Sequence, residues 1–83
     1  MMLFVTTLAT LPGKTREALE IFLKYNKVPE SIRVKEALVL FGKPDLLLIF
    51  EADDEREAAQ FVIQFNEIAS TQTSLAFPVK EVL

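Results

Sequence analysis

Residues 37–52, ALVLFGKPDLLLIFEA, constrain the fold more than any other stretch of this chain. Two apolar runs, 37–41 and 46–50, flank Gly42-Lys43-Pro44-Asp45, and three of these four are turn formers for separate reasons. Gly42 can take a positive φ, Pro44 fixes φ near the value a turn needs, and Asp45 can hydrogen-bond neighbouring backbone amides. The stretch therefore reads as a β-hairpin. Its second run, Leu46-Leu47-Leu48-Ile49-Phe50, does not alternate with polar residues, so both faces of that strand call for apolar cover. In a chain of 83 residues the helices can cover one face of a sheet and little is left for the other. A partner subunit is implied.

The remaining elements fall into place around this hairpin. Residues 2–10 are rich in β-branched and large apolar side chains and stop at Leu11-Pro12-Gly13, which marks a first strand. A helix follows from Lys14 or Thr15, with Thr15 as a cap and Glu17 in the favourable first turn. Ala18, Leu19, Phe22, Leu23 and Asn26 share one face of it, and Pro29 bounds it. A second strand covers residues 32–41, where Arg33 and Lys35 alternate with Ile32 and Val34 as on a half-exposed edge. The apolar register changes near Glu36 and Ala37, the mark of a β-bulge. Asp53 or Asp54 caps a second helix in which Ala58, Phe61, Val62, Phe65, Ile68 and Ala69 keep helical spacing, with Glu57, Gln60, Gln64 and Glu67 on the wet side. Residues 71–77 form a fourth strand of mixed polarity, with Pro78 near its end as an edge permits.

The order is βαββαβ, an α+β class fold of the ferredoxin-like kind: a four-stranded antiparallel sheet with two helices on one face, in a single domain spanning 1–83. Right-handed crossovers put strands one and three in the middle and strands two and four at the edges. The two most apolar runs are the ones this topology makes central.

Composition narrows the chemistry. Cysteine and histidine are both absent, which removes disulfides, thiolates, the commonest general base and the commonest metal ligand together. The formal charge is −3 and no basic cluster occurs, so nucleic acid and anionic membranes are poor partners. No apolar run approaches the ~20 residues that span a bilayer, and the threonines of the first stretch suit a strand better than a signal core. A soluble cytoplasmic protein is the expectation. With 51% hydrophobic residues, the chain is more apolar than so small a domain can hide alone, and the excess points to a homodimer, with further association open.

The chain resembles the small dimeric α+β barrel proteins of unknown function. The residues that carry the resemblance are Met2-Leu3-Phe4-Val5-Thr6, Pro12-Gly13-Lys14, Glu17-Ala18-Leu19, Phe22-Leu23-Lys24, Glu51-Ala52-Asp53-Asp54, Ala58-Ala59-Gln60-Phe61-Val62 and Pro78-Val79. It is also similar to GYD-type domains and to the ligand-binding domain of Lrp/AsnC regulators, in which a glycine and an aspartate frame the turn before the third strand, as Gly42 and Asp45 do. Proline replaces the aromatic of the GYD proteins, so no role of that aromatic carries over. The resemblance implies two sheets facing each other across a dimer, with functions from amino-acid sensing to cofactor-independent monooxygenases, isomerases and haem enzymes; fold alone barely narrows these.

Specific chemistry is sparse. Asp45, Leu47, Ile49 and Glu51 share one face of strand three and Leu46, Leu48 and Phe50 the other. Asp45 and Glu51 lie about 20 Å apart along an extended strand, too far for one acid/base pair, and turn closure and solvation account for them more simply. Glu51, Asp53, Asp54 and Glu55 match no calcium loop and fit helix capping. Arg33 and Lys35 suit edge protection better than anion binding. Thr6, Thr7, Thr71, Thr73 and Ser74 have no base to activate them. No catalytic residue, cofactor or metal ligand is assigned. The candidate ligand-binding set is Thr6, Asp45 and Glu51 with Tyr25 and Asn26 at the end of the first helix, in a non-enzymatic small-molecule-binding or accessory module. The alternative is a monooxygenase- or isomerase-like enzyme working between helices and sheet.

Overall fold

A computed structural model describes residues 1–24 and 28–83, with residues 22–24 described in backbone only. The elements are β1 (Met2–Thr10), α1 (Thr15–Lys24), β2 (Ile32–Val39), β3 (Leu46–Ala52), α2 (Glu55–Ile63), β4 (Ala69–Ala76) and a short α3 (Val79–Val82). The sheet order is β2-β3-β1-β4, and every neighbouring pair is antiparallel. This is the ferredoxin-like arrangement, with the two most apolar strands in the middle.

Alternation along β3 sorts the core. Leu46, Leu48, Phe50 and Ala52 are buried under the helices, whereas Leu47, Ile49 and Glu51 face the other way and are half-buried. Phe4, Thr6 and Leu8 of β1 join the buried set. Ala18 of α1 and Ala58, Phe61 and Val62 of α2 close over it, with Leu19 and Ile21 packed at its margin. Phe50 sits at the centre, stacked on Phe4 at 5.6 Å and edge-on to Phe61 at 5.0 Å. Each such large side chain stabilises by about 1.5–3 kcal/mol through burial, and the aromatic geometry adds a further fraction.

Local chemistry sets the boundaries. Gly13 and Gly42 take φ values of 79° and 143°, which side chains with a Cβ avoid. The Asp54 carboxylate accepts the Glu57 N–H at 2.8 Å and caps α2. The bulge lies at Lys35, the extra residue between Val34 and Glu36, one position before the register change read from the sequence.

Several boundaries differ from the sequence expectation, and β2 ends at Val39 rather than at residue 41. Helix α2 stops at Ile63, although apolar spacing continues to Ala69. Beyond it, tight turns (Phe65 N–H to the Val62 carbonyl, Asn66 N–H to Ile63, Ile68 N–H to Phe65) keep Phe65 and Ile68 pointed at the core. The Leu11 N–H meanwhile bonds the Ile68 carbonyl, and Ala69 pairs with Thr10. Pairing with β1 thus claims residues that helical periodicity alone would keep in α2. The fourth strand begins two residues earlier than expected, and Pro78, at φ −57°, starts the unanticipated α3.

Candidate functional site

The side chains singled out in the sequence fall in separate places. Thr6 is fully buried on the helix face, and its Oγ1 lies 2.8 Å from Thr73 Oγ1. This hydroxyl pair joins β1 to β4 and satisfies both groups, so Thr6 Oγ1 is engaged within the sheet. Tyr25 and Asn26 lie outside the described residues.

Asp45 sits where the hairpin turn meets the end of β1. Its Oδ2 accepts the Thr10 N–H at 2.8 Å and the Thr10 hydroxyl at 2.9 Å. With that proton directed at the carboxylate, the Thr15 hydroxyl donates to Thr10 Oγ1 at 2.8 Å, which ties the start of α1 into the same knot. The backbone repeats the connection: the Asp45 N–H reaches the Leu8 carbonyl and the Leu40 N–H reaches the Asp45 carbonyl. The Thr10 N–H and then its hydroxyl hold the Asp45 carboxyl below its ordinary range, with Lys43 helping, against a smaller upward push from lost hydration.

Glu51 lies at the opposite end of β3 and on the opposite face from Thr6. Lys35 Nζ stands 3.6 Å and Arg33 Nη1 4.0 Å from its Oε1. Both cations come from β2, so this cluster stitches the edge strand to the centre. Thr6, Asp45 and Glu51 therefore form no common site.

Two of the accessible apolar surfaces among the described residues involve the sheet directly. One is the sheet face turned away from the helices, where Val5 of β1 lies beside Ile49 of β3, Leu38 of β2 beside Leu47 of β3, and Leu3 of β1 beside Glu51, with Thr7, Arg33, Glu36, Gln72 and Ser74 on the same face. Among the described residues no helix packs on it, and Glu51 with its two cations lies at one end. The other is a groove of about 330 Å³ between α2 and the β1–β4 side of the sheet. Phe4, Ala58, Ala59 and Val62 contribute its apolar wall, with Glu55, Asn66 and Thr73 as its polar members. Sequence reading located its alternative site between helices and sheet but named none of this lining, because it sorts α2 into one buried and one wet stripe. Glu55, Ala59, Ile63 and Asn66 lie on the flank between them, spaced i, i+4, i+8 and i+11, and that spacing was the available signal. A smaller groove of about 250 Å³ runs along the other side of α2, past Ile32 and Gln60.

No group of three or more histidine, cysteine, aspartate or glutamate side chains able to hold a metal ion occurs among the described residues. Nor is any described helix long and apolar enough to cross a membrane. Fold and surfaces together define a small ferredoxin-like α+β protein in which Asp45, Glu51 and Asp54 cap or cross-link elements. Residues 2–83 match a family model described only as a domain of unknown function, DUF3303, and the chain belongs to that family. No curated protein matches it.

Proposed function

We propose that the protein is a cytoplasmic homodimer, a dimeric α+β barrel in which the open sheet faces of two copies cover each other, and that it serves as a non-enzymatic small-molecule-binding or accessory module. The observation that carries this reading is the strip Leu3, Val5, Leu38, Leu47 and Ile49, apolar on the face that α1 and α2 leave uncovered. An apolar patch rimmed by polar residues, here Thr7, Arg33, Glu36, Glu51, Gln72 and Ser74, is the kind of surface that marks a protein contact. The similarity of the Gly42–Asp45 turn to GYD-type and Lrp/AsnC ligand-binding domains supports the binding role. The α2–β4 groove is the place for the ligand, since it is apolar with few polar groups at its rim, as small-molecule sites commonly are.

A second reading puts cofactor-independent oxygenase or isomerase chemistry in that groove. Its support is the placement of Glu55, the groove's one carboxylate, at the first turn of α2. Native mass spectrometry of the protein purified under mild conditions tests the binding reading. A dimer mass carrying a bound small molecule, lost in an Ala59→Trp variant that fills the groove, is the expected result. A ligand retained unchanged by that variant would move the site elsewhere.

A further inference from the structure

Two grooves run along α2, one on each flank, and each has one carboxylate in its lining. In the smaller groove that carboxylate is taken, because Glu57 Oε2 accepts the hydroxyl of Ser31. In the larger groove it is not. The Glu55 carboxylate has no hydrogen-bond or ion-pair partner among the described residues, and the cap of its helix is filled by Asp54 instead.

The surroundings give this free carboxylate a sign to select with. Of the residues lining the larger groove, Glu55 is the one that is charged; Asn66 and Thr73 are neutral, and Thr73 is tied to Thr6. The strands beneath, β1 and β4, contain no charged residue. Around the start of α2, Asp53, Asp54 and Glu57 add to the negative charge, against the single cation Arg56. A ligand anion would meet several carboxylates there, and the helix N-terminus that could attract it is already capped by Asp54. A ligand cation is drawn to the same end.

The rest of the groove sets what carries that charge. Its wall is apolar, and its volume of about 330 Å³ falls at the lower end of the range of small-molecule sites, about 300–1,000 Å³. Burial against the wall supplies the affinity. Pairing with an exposed carboxylate contributes little in water and acts mainly as the selector.

We infer that the larger groove takes a small apolar amine, its hydrocarbon body on Phe4, Ala59 and Val62 and its ammonium group at Glu55. The inference rests on the ligand site proposed above and adds to it the class of ligand.

The test uses three probes with one body and three end groups: phenylpropylamine, phenylpropanol and phenylpropionate, which are positive, neutral and negative at neutral pH. Each is titrated into isotope-labelled wild type and Glu55→Gln, and binding is read from the backbone amide shifts of Ala59, Val62, Ile63 and Thr73 in NMR spectra. Glu55 is exposed, so the variant is expected to keep the wild-type circular dichroism spectrum. In wild type the amine should bind roughly fivefold or more tighter than the carboxylate, with the alcohol between them, and the gap should shrink in Glu55→Gln. Equal affinities in wild type, a tighter carboxylate, or a preference unchanged by Glu55→Gln would overturn the amine and leave the groove standing as a site for other molecules. Salt dependence in wild type gives a reading that needs no variant: the gap should narrow as salt rises, and a gap indifferent to salt would overturn the ammonium pairing. If none of the three probes shifts these amides up to millimolar concentration, the groove itself fails as the site and the inference fails with it.

Discussion

Asp45 shows how a single polar side chain can be claimed by structure. Its carboxylate takes two bonds from Thr10 and holds the end of β1, the β2–β3 turn and, through Thr15, the start of α1 together. Because the folded protein lowers the carboxyl's pKa, it favours the ionised form over the unfolded chain. The stabilisation is therefore complete above the ordinary carboxylate pKa and fades as pH falls through the lowered value. Thermal unfolding of wild type and Asp45→Asn should differ most at neutral pH and converge in acid below about pH 4; a gap that stays constant down to pH 2 would remove the carboxylate's charge from the explanation. Leu48 illustrates the opposite chemistry. It is 1% exposed beneath the helices, so Leu48→Asp places an unpaired charge where nothing solvates it and should prevent folding. The milder Leu48→Ala should cost about 2–5 kcal/mol, read from a denaturant midpoint. Native circular dichroism from Leu48→Asp would mean that the core lies elsewhere.

At the scale of elements, the most local chemistry was the most legible. The first strand runs over the residues that β-propensity and the Leu11-Pro12-Gly13 stop define, and the acidic cluster before α2 resolves into a cap at Asp54. Asp54→Ala should cost about 1 kcal/mol, visible as a drop of about 4–8 °C in a thermal melt; no change would mean that Glu55 and Glu57 satisfy the helix start without it. The end of α2 was less legible, because Phe65 and Ile68 keep helical spacing while the backbone between them forms tight turns. What stops the helix is the partner strand β1, through Leu11 and Thr10, and such long-range pairing leaves no trace in local periodicity. The lining of the groove escaped notice for a related reason. Its wall combines the flank of α2 with Phe4 and Thr73, which are distant in sequence and meet only when β4 returns beside β1. Of the named polar residues, Thr6, Asp45 and Glu51 were recognised as notable, but their separation on two faces and two ends of the sheet follows from strand alternation and register together.

At the scale of the whole molecule, one feature outweighs the others: an apolar patch, rimmed by polar residues, on the sheet face that the helices leave open. The neighbours Leu48 and Ile49 express it most directly, since they are adjacent in sequence and point to opposite faces. A charge at position 48 enters the core of the protomer, whereas a charge at position 49 enters the proposed contact between protomers and leaves the protomer's own packing intact. The two substitutions should therefore fail differently, the first by losing the fold and the second by losing only the partner. The Arg33–Glu51–Lys35 cluster lies at the end of this face. In the exposed protomer such pairs contribute at most about 1 kcal/mol, so Glu51→Gln should alter the fold little.

Sedimentation equilibrium of wild type beside Ile49→Lys at micromolar concentration tests the assembly most directly. A wild-type dimer and a folded Ile49→Lys monomer with the wild-type circular dichroism spectrum are the expected pair. A folded wild-type monomer, or an Ile49→Lys variant that dimerises as wild type does, would contradict the covering of the open face by a second copy.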